Sequence, residues 1–178
     1  MRDHICEINY IGEVLLWHNL SYVRIIPREA MYKNFSSTIS AYLAGFLDGD
    51  GSIYVRLKPN STYRYGFQVA PYIILFQSNQ DRKNFEKICS LIGLGILRER
   101  KDGILEYSIN RTDNLKLFLA SVKPFLILKK KQAELMLKIL AKKEKVKNHQ
   151  DFEELAQLVD SFRDLNYSKK RKIRILTP

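Results

Sequence analysis

Two carboxylates, Asp48 and Asp50, stand among the densest glycines of this chain, in the run GFLDGDGS from Gly45 to Ser52. An apolar segment leads into them and an alternating segment leads out. Carboxylates at such a junction suit three arrangements: a calcium loop, a plain turn, or a hard-cation site at a helix end. The calcium loop fails on spacing. Counted from Asp48, the acids and Ser52 fit the first, third and fifth ligand positions, but Ile53 stands where the sharp turn needs glycine and Pro59 where a bidentate Glu is needed. Asp-Gly pairs are ordinary turn chemistry, yet a plain turn leaves the small-residue spacing upstream without a reason. The third arrangement has one. A helix C-terminus presents unpaired carbonyls and partial negative charge. Asp50 adds a full negative charge there, and the Gly49 carbonyl can turn to the same point because glycine tolerates unusual dihedrals. Two converging oxygens suit a hard divalent cation. Mg²⁺ in particular keeps a sparse protein shell and fills the rest with water and phosphate oxygens.

The elements that position these groups are legible around them. SSTISAYLAGFL offers Ser36, Ser37 or Thr38 as a helix N-cap. Ile39, Tyr42, Leu43, Phe46 and Leu47 then recur at helical spacing. Ala41, Gly45 and Gly49 lie four apart on another face, a stripe that lets a second helix approach closely because no side chains hold the axes apart. Glycine costs about 1 kcal/mol in a helix interior, so Gly45 implies a compensating contact. After Gly51 the period becomes two. Ile53, Val55 and Leu57 face one way, and Ser52, Tyr54, Arg56 and Lys58 the other. PNST supplies a turn, and YRYGFQVAPYIILFQ is the return strand, with Phe67, Val69, Ile73 and Leu75 on one face and an edge or bulge expected at Pro71.

A helix from about Asn79 to Leu91 follows, ended by Gly93. A second hairpin turns at Lys101-Asp102-Gly103, with Arg98 and Arg100 on one face of its first strand and Ile104 to Ile109 as its second. Thr112 or Asp113 is expected to cap a helix bearing Leu115, Phe118 and Leu119. PFLILKKKQ is a short apolar run into a basic helix, and FEELAQLVDSFRDL is a last amphipathic helix. The order is α-β-β-α-β-β-α with C-terminal helices, an α+β class. The helix-hairpin pattern occurs twice, whereas DGDG occurs once. Residues 1–35 read as an extension, apolar and partly strand-like without clear period, and carry no assigned chemistry. Residues 36–168 form the main domain, and 169–178 a basic tail.

Composition narrows the partner. The chain has 178 residues, 46% hydrophobic and 28% charged, enough for one domain with a sizeable core. Thirty Lys and Arg against 19 Asp and Glu give a formal charge of +11. Such an excess points to a polyanion, most often nucleic acid. Cys6 and Cys89 form no CxxC pair, and His4, His18 and His149 are scattered, so neither zinc spacing nor a nucleophilic triad is present. Acids at Asp3, Glu7 and Glu13 break any secretory apolar region, and no run is long and apolar enough for a membrane helix. With nucleic acid as partner, two copies of the helix-end site near a twofold axis, joined by DNA phosphates, would make a two-metal phosphodiesterase.

AYLAGFLDGDGS closely resembles the LAGLIDADG motif of homing endonucleases, in its D-G-D-G-S form. The element order, the hairpin spacing and PFLILKKKQA resemble the single-motif, homodimeric, intron-encoded branch, over roughly Ser36 to Leu165. The resemblance implies an antiparallel, saddle-shaped sheet with helices on one face, and a homodimer that cuts long pseudo-palindromic duplex DNA with Mg²⁺ or Mn²⁺. It implies no small-molecule substrate and no membrane. By position, Asp50 is the metal-binding acid with the Gly49 carbonyl beside it, Gln77 positions the attacking water, and Lys129 stabilises the scissile phosphate. The family's basic residue after the glutamine aligns with Asp81, and Arg82 next to it is taken for that role. Asp48 is assigned to capping or bridging the paired helices, so Ala41, Gly45, Asp48 and Gly49 form the expected dimer interface. The DNA-reading face carries Arg56, Lys58, Gln68, Arg98, Arg100, Glu106 and Ser108, with Asn60, Thr62 and Tyr63 at the hairpin tip and Lys131 nearby. Ala70, Tyr72 and Ile74 share that face and are expected to make apolar contacts, or to act through shape, rather than to form hydrogen bonds. Arg or Lys pairs with guanine, and Gln or Asn with adenine. The compartment implied is a chloroplast or mitochondrion, or otherwise a microbial cytoplasm. Two rivals share the fold: an RNA-binding splicing maturase and a silent DNA-binding regulator. Asp50, Gln77 and Lys129 together argue against silence, since binding alone needs none of them.

Overall fold

The computed structural model describes residues 35–166. The extension up to residue 34, with His4, Cys6 and His18, and the basic tail lie outside the described residues.

Helix α1 spans Ser37–Asp50. Ser36 caps it, its hydroxyl accepting from the Ile39 N–H at 3.3 Å, which settles the choice among three candidate caps. Leu43, Ala44 and Leu47 are fully buried. Strand β1, Gly51–Pro59, follows without a linker. Strand β2, Phe67–Ser78, returns in one unbroken register from Gly51 opposite Leu75 to Pro59 opposite Phe67. The return strand starts later than the sequence pattern suggests. Backbone bonds Asn60 N to Gly66 O and Gly66 N to Tyr63 O, with Gly66 at φ 73°, close a longer turn over residues 60–66. Pro71 makes no bulge: it lies opposite Val55 in the continuous ladder. Its other flank is an edge, because pairing on that side begins only at Ile73.

A 3₁₀ turn, Asn79–Asp81, leads into α2, Arg82–Ile92, which Gly93 ends in the left-handed conformation at φ 66°. Strands β3, Ile96–Glu99, and β4, Ile104–Ile109, form the second hairpin. The sheet runs β1-β2-β4-β3, every pair antiparallel. Helix α3, Thr112–Val122, starts one residue earlier than a Thr112 cap requires: Leu115 N–H bonds to Arg111 C=O, and neither Thr112 nor Asp113 caps it. Helix α4 spans Lys130–Lys143 and α5 His149–Asp160. A reciprocal box of Asn148 and Asp151 opens α5. The last amphipathic run is broken in two at Ser161, whose hydroxyl bonds the Gln157 carbonyl at 3.0 Å, and α6 is the single turn Phe162–Leu165.

The core lies between helices and one sheet face. Ile53, Val55, Leu57, Val69, Ile73, Leu75, Leu105, Tyr107 and Ile109 all point inward and are buried with Phe85, Phe118, Leu119 and Met136. The other face carries Arg56, Lys58, Tyr54, Tyr72, Gln68, Arg98, Glu106 and Ser108, as alternation and register require. Among the described residues no helix is long and apolar enough to cross a membrane.

Candidate active site and nucleic-acid interface

The motif acids end up with different duties because α1 stops between them and the sheet. Asp50 is the last residue of α1 and is exposed. Asp48, two residues earlier, is tied down. Its carboxylate accepts the backbone N–H of Ile127 at 2.7 Å, Leu128 at 3.1 Å and Lys129 at 2.9 Å. These are orphan donors ahead of α4, so Asp48 caps that helix from 79 to 81 residues away. In return the Lys129 ammonium donates to the Asp48 carbonyl at 2.5 Å. The cap thereby sets Lys129 at the C-terminal end of α1, where the helix dipole favours a cation. Sequence reasoning gave Asp48 a cap or bridge between two copies of α1. The structure shows its carboxylate serving α4 of its own chain.

Gln77 reaches the same end of the sheet through strand register. Gly51 lies opposite Leu75, and Gln77 is two residues further, beside the chain's exit from α1. Its side-chain carbonyl accepts from the Ser78 N–H at 2.8 Å, which leaves the amide N–H₂ to point elsewhere. Gly51 is required by close approach: a Cβ there would meet the Leu47 carbonyl at 2.7 Å and its Cα at 2.9 Å. This lets β1 leave α1 without a spacer. Gly45 and Gly49, by contrast, have nothing within 4 Å of a Cβ among the described residues, and Ala41 on the same stripe is exposed.

The candidate metal donors are thus the Asp50 carboxylate and the Gly49 carbonyl. Among the described residues no cluster of three or more His, Cys, Asp or Glu could hold a metal. A single copy therefore offers an open, oxygen-only half-site. That fits a hard divalent cation completed by phosphate, water or a second copy. Burial pushes the Cys89 thiol up to about 12, so it stays protonated and takes no nucleophilic part.

Arg82 is engaged by its own neighbours. Its guanidinium bonds Asn79 at 2.8 Å and pairs with Glu86 and Glu99, across the start of α2 and the end of β3. Lys131 is exposed in the first turn of α4.

The outer sheet face divides in two. On β1 and β2, Tyr54 and Tyr72 stack at 5.3 Å and 27°. Arg56 lies 4.8 Å over Tyr54, and the Lys58 ammonium donates to the Tyr72 hydroxyl at 2.5 Å, 4.9 Å from the ring centroid. On β3 and β4, Arg98 pairs with Glu106 at 3.0 Å and Arg100 with Asp102 at 2.7 Å. Gln68 lies opposite Lys58, and Ser108 opposite Ile74 and Ile96. At the first hairpin tip the Asn60 side chain is structural, accepting from Thr62 N–H at 3.0 Å and Thr62 hydroxyl at 2.7 Å. Thr62 and Tyr63 are exposed beside it. Two roles escaped the sequence reading. The Asp48–Lys129 link spans too much chain to leave a local signal. The tyrosine pair did leave one, since alternation put both rings on the basic face.

A family model described as LAGLIDADG endonuclease matches residues 43–140. The chain is similar to the DNA endonuclease I-CreI of Chlamydomonas reinhardtii, 38% identical over 143 residues, which are 80% of this chain and 87% of that protein. It is similar to the DNA endonuclease I-CvuI of Chlorella vulgaris, 34% identical over 133 residues, 75% of this chain and 83% of that one. A crystal structure of the homing endonuclease I-CvuI with the I-CreI target, in the presence of Mg and with the DNA not cleaved, matches with a TM-score of 0.72 at 33% identity, covering 79% of this chain and 90% of that one. A second I-CvuI structure, with its own target in the presence of Ca, matches with a TM-score of 0.72 at 33% identity, covering 77% and 87%.

Proposed function

The chain belongs to the LAGLIDADG endonuclease family, and from that premise we propose that it is a homing endonuclease, a site-specific enzyme that hydrolyses both strands of duplex DNA at a long, pseudo-palindromic target and so promotes intron mobility. The observation that carries this reading is the convergence of Asp50, Gln77 and Lys129 at one end of a sheet whose open face is basic.

A divalent metal goes with this chemistry, and solved structures of the relative I-CvuI with DNA were determined in Mg and in Ca. The oxygen-only donors here favour Mg²⁺, with Mn²⁺ as a substitute. Asp50 and the Gly49 carbonyl would hold it, and when bound it supplies Lewis-acid charge at the scissile phosphate. Gln77 orients the attacking water in line with the bond to be broken. Lys129 keeps one N–H on the Asp48 carbonyl, and its remaining donors face the charge that develops on the phosphate.

Two copies complete the enzyme. Ala41, Gly45 and Gly49 form an exposed small stripe with no neighbour among the described residues at either glycine. Tyr42, on the same helix, is 54% exposed, and Ile127 and Leu128, held at the end of α1 by Asp48, are 84% and 72% exposed. Apolar groups left in water around a close-approach stripe support a second copy pairing there. Twofold symmetry then brings two Asp50 half-sites to opposite strands and favours a pseudo-twofold target. The compartment that suits an intron-encoded enzyme of this type is a chloroplast or mitochondrion, or a microbial cytoplasm.

The test is cleavage of duplex DNA spanning the intron-free allele of the host gene. Staggered double-strand cuts are expected in Mg²⁺ from a protein that light scattering sizes as a dimer, with none in EDTA. Uncut DNA from a folded dimer sinks the reading, and splicing rescue without cleavage would replace it with the maturase.

A further inference from the structure

The outer face of β1 and β2 holds an arrangement that the reaction itself does not need. Tyr54 and Tyr72 sit on one rung of the ladder, Arg56 and Ala70 on the next, Lys58 and Gln68 on the third. Lys58 nevertheless reaches Tyr72. Its side chain runs back past the small Ala70 rung, which is 6% exposed, and its ammonium meets the Tyr72 hydroxyl at 2.5 Å. The same ammonium lies 4.9 Å from the Tyr72 ring centroid, out beyond the hydroxyl, and that ring is stacked on Tyr54. Among the described residues no carboxylate pairs with Lys58 or Arg56. Two cations two residues apart are thus held by tyrosines, Arg56 over a ring and Lys58 at a phenol oxygen, neither of which cancels the charge.

We infer that Tyr72, with Lys58, is a specificity-determining unit that selects guanine at one base pair in each half of the target. The inference rests on the endonuclease reading, which puts this face in a major groove, and goes beyond it in assigning the read base. The chemistry is one of donor counting. The Tyr72 oxygen accepts from Lys58, so the phenol proton points away from the ammonium. Lys58 keeps two further N–H donors. The outward side of the pair therefore presents donors alone. Guanine offers two adjacent acceptors in the major groove, N7 and O6. Adenine sets its N6 donors beside its acceptor, cytosine offers N4 donors, and thymine a single acceptor beside a methyl group. Only guanine matches a donor-only partner at both contacts. Tyr54 buttresses the ring that holds Lys58 in place. An isolated lysine on a strand would rotate freely and read charge more than base identity.

The experiment selects bound duplexes from a randomised library with the full chain, in EDTA so that DNA stays whole, and sequences what each protein retains. Wild type should show a guanine preference at a symmetric pair of positions. Tyr72→Phe keeps the ring, the stack and the net charge and removes only the hydroxyl. It should cut that preference by about fivefold or more, the lower range for one good set of base contacts, and leave other positions and the salt slope unchanged. Should Tyr72→Phe misfold by circular dichroism, Lys58→Met must erase the guanine signal at the same pair of positions. An unchanged Tyr72→Phe profile, or a loss spread evenly over the site, overturns the inference and leaves the endonuclease reading standing. A wild-type protein that selects no sequence at all overturns both.

Discussion

The chain builds a helix and a hairpin twice, and the two units handle charge in opposite ways. In α1-β1-β2 the strands are nine and twelve residues long, and Arg56 and Lys58 are held by tyrosines, one over a ring and one at a hydroxyl. In α2-β3-β4 the strands are four and six residues long, and Arg98 and Arg100 are each joined to a carboxylate. An aromatic face holds a cation and leaves its charge intact, whereas a carboxylate cancels it. The first unit therefore meets a phosphate backbone with its full positive field. The second must exchange Glu106 or Asp102 for DNA. Only the first unit ends its helix in an acid, Asp50, beside a small-residue stripe. Under the proposed function this is a division of labour: the first unit supplies Asp50, Gln77, the small-residue stripe and uncancelled cations, and the second supplies sheet, core and a neutralised margin.

The largest expected effect tests whether chemistry is confined to the first unit. Asp50→Asn should lower the single-turnover cleavage rate by about three orders of magnitude, since several kcal/mol of metal-supplied stabilisation goes with it. Asp102→Asn, in the second hairpin, should stay within a few-fold of wild type. Comparable losses would mean that both units hold metal, and the asymmetry would collapse.

Next in size is a test of what the glycines do. Gly51 enters β1, and Gly95 precedes β3. A Cβ at Gly51 meets Leu47 backbone atoms, and one at Gly95 meets the Ser108 carbonyl at 2.7 Å and the Tyr107 ring at 2.8 Å. Gly51→Ala and Gly95→Ala should each destabilise the fold by about 1–3 kcal/mol, as overpacking does. Gly45→Ala meets nothing within 4 Å and should raise helix stability in a monomer by up to about 1 kcal/mol while weakening dimerisation. Thermal melts and sizing together separate these outcomes. A destabilised Gly45→Ala monomer would show that this stripe is packed within the chain after all.

How much of the fold and the site is legible in the sequence follows from how local each signal is. The two hairpins are readable because period-two alternation is a property of adjacent residues, and Ile53, Val55 and Leu57 are buried as that pattern requires. The DGDGS run marks Asp50, and PFLILKKKQ marks Lys129, because each is a contiguous string. Three features are out of reach. The Asp48 cap joins residues 79 to 81 apart, and nothing local encodes such a bond. Arg82 is next to the position that the resemblance gives to a basic residue, but its guanidinium is paired with Glu86 and Glu99, which lie 4 and 17 residues on. The reach of Lys58 to Tyr72 depends on register, which alternation alone leaves undetermined.

A third test compares the two charge arrangements directly. Arg56→Met/Lys58→Met removes two uncancelled cations and should weaken DNA binding by roughly tenfold or more, lowering the salt slope by about two for each protomer. Arg98→Met/Glu106→Gln removes a pair that is already neutral, so its slope should match wild type. Equal slopes for the two double variants would mean that the carboxylates screen nothing, and the units would be electrostatically alike.

The smallest effect makes the sharpest comparison, because it converts the second unit toward the first. Glu106 lies on β4 between Phe76 and Arg98, with its side chain only 14% exposed, while that of Arg98 is 68% exposed. Glu106→Gln keeps the shape and an acceptor for the guanidinium but removes the charge that cancels it. Arg98 then carries an uncancelled charge, as Arg56 does. Affinity for random duplex DNA should rise roughly threefold at low salt, and the gain should fade as salt rises and the Debye length shortens. Sequence discrimination should fall at the same time, because added backbone attraction favours every site equally. A Glu106→Gln protein with wild-type affinity at every salt concentration would mean that Arg98 already leaves Glu106 at no cost, and the neutralised margin would have no consequence for binding.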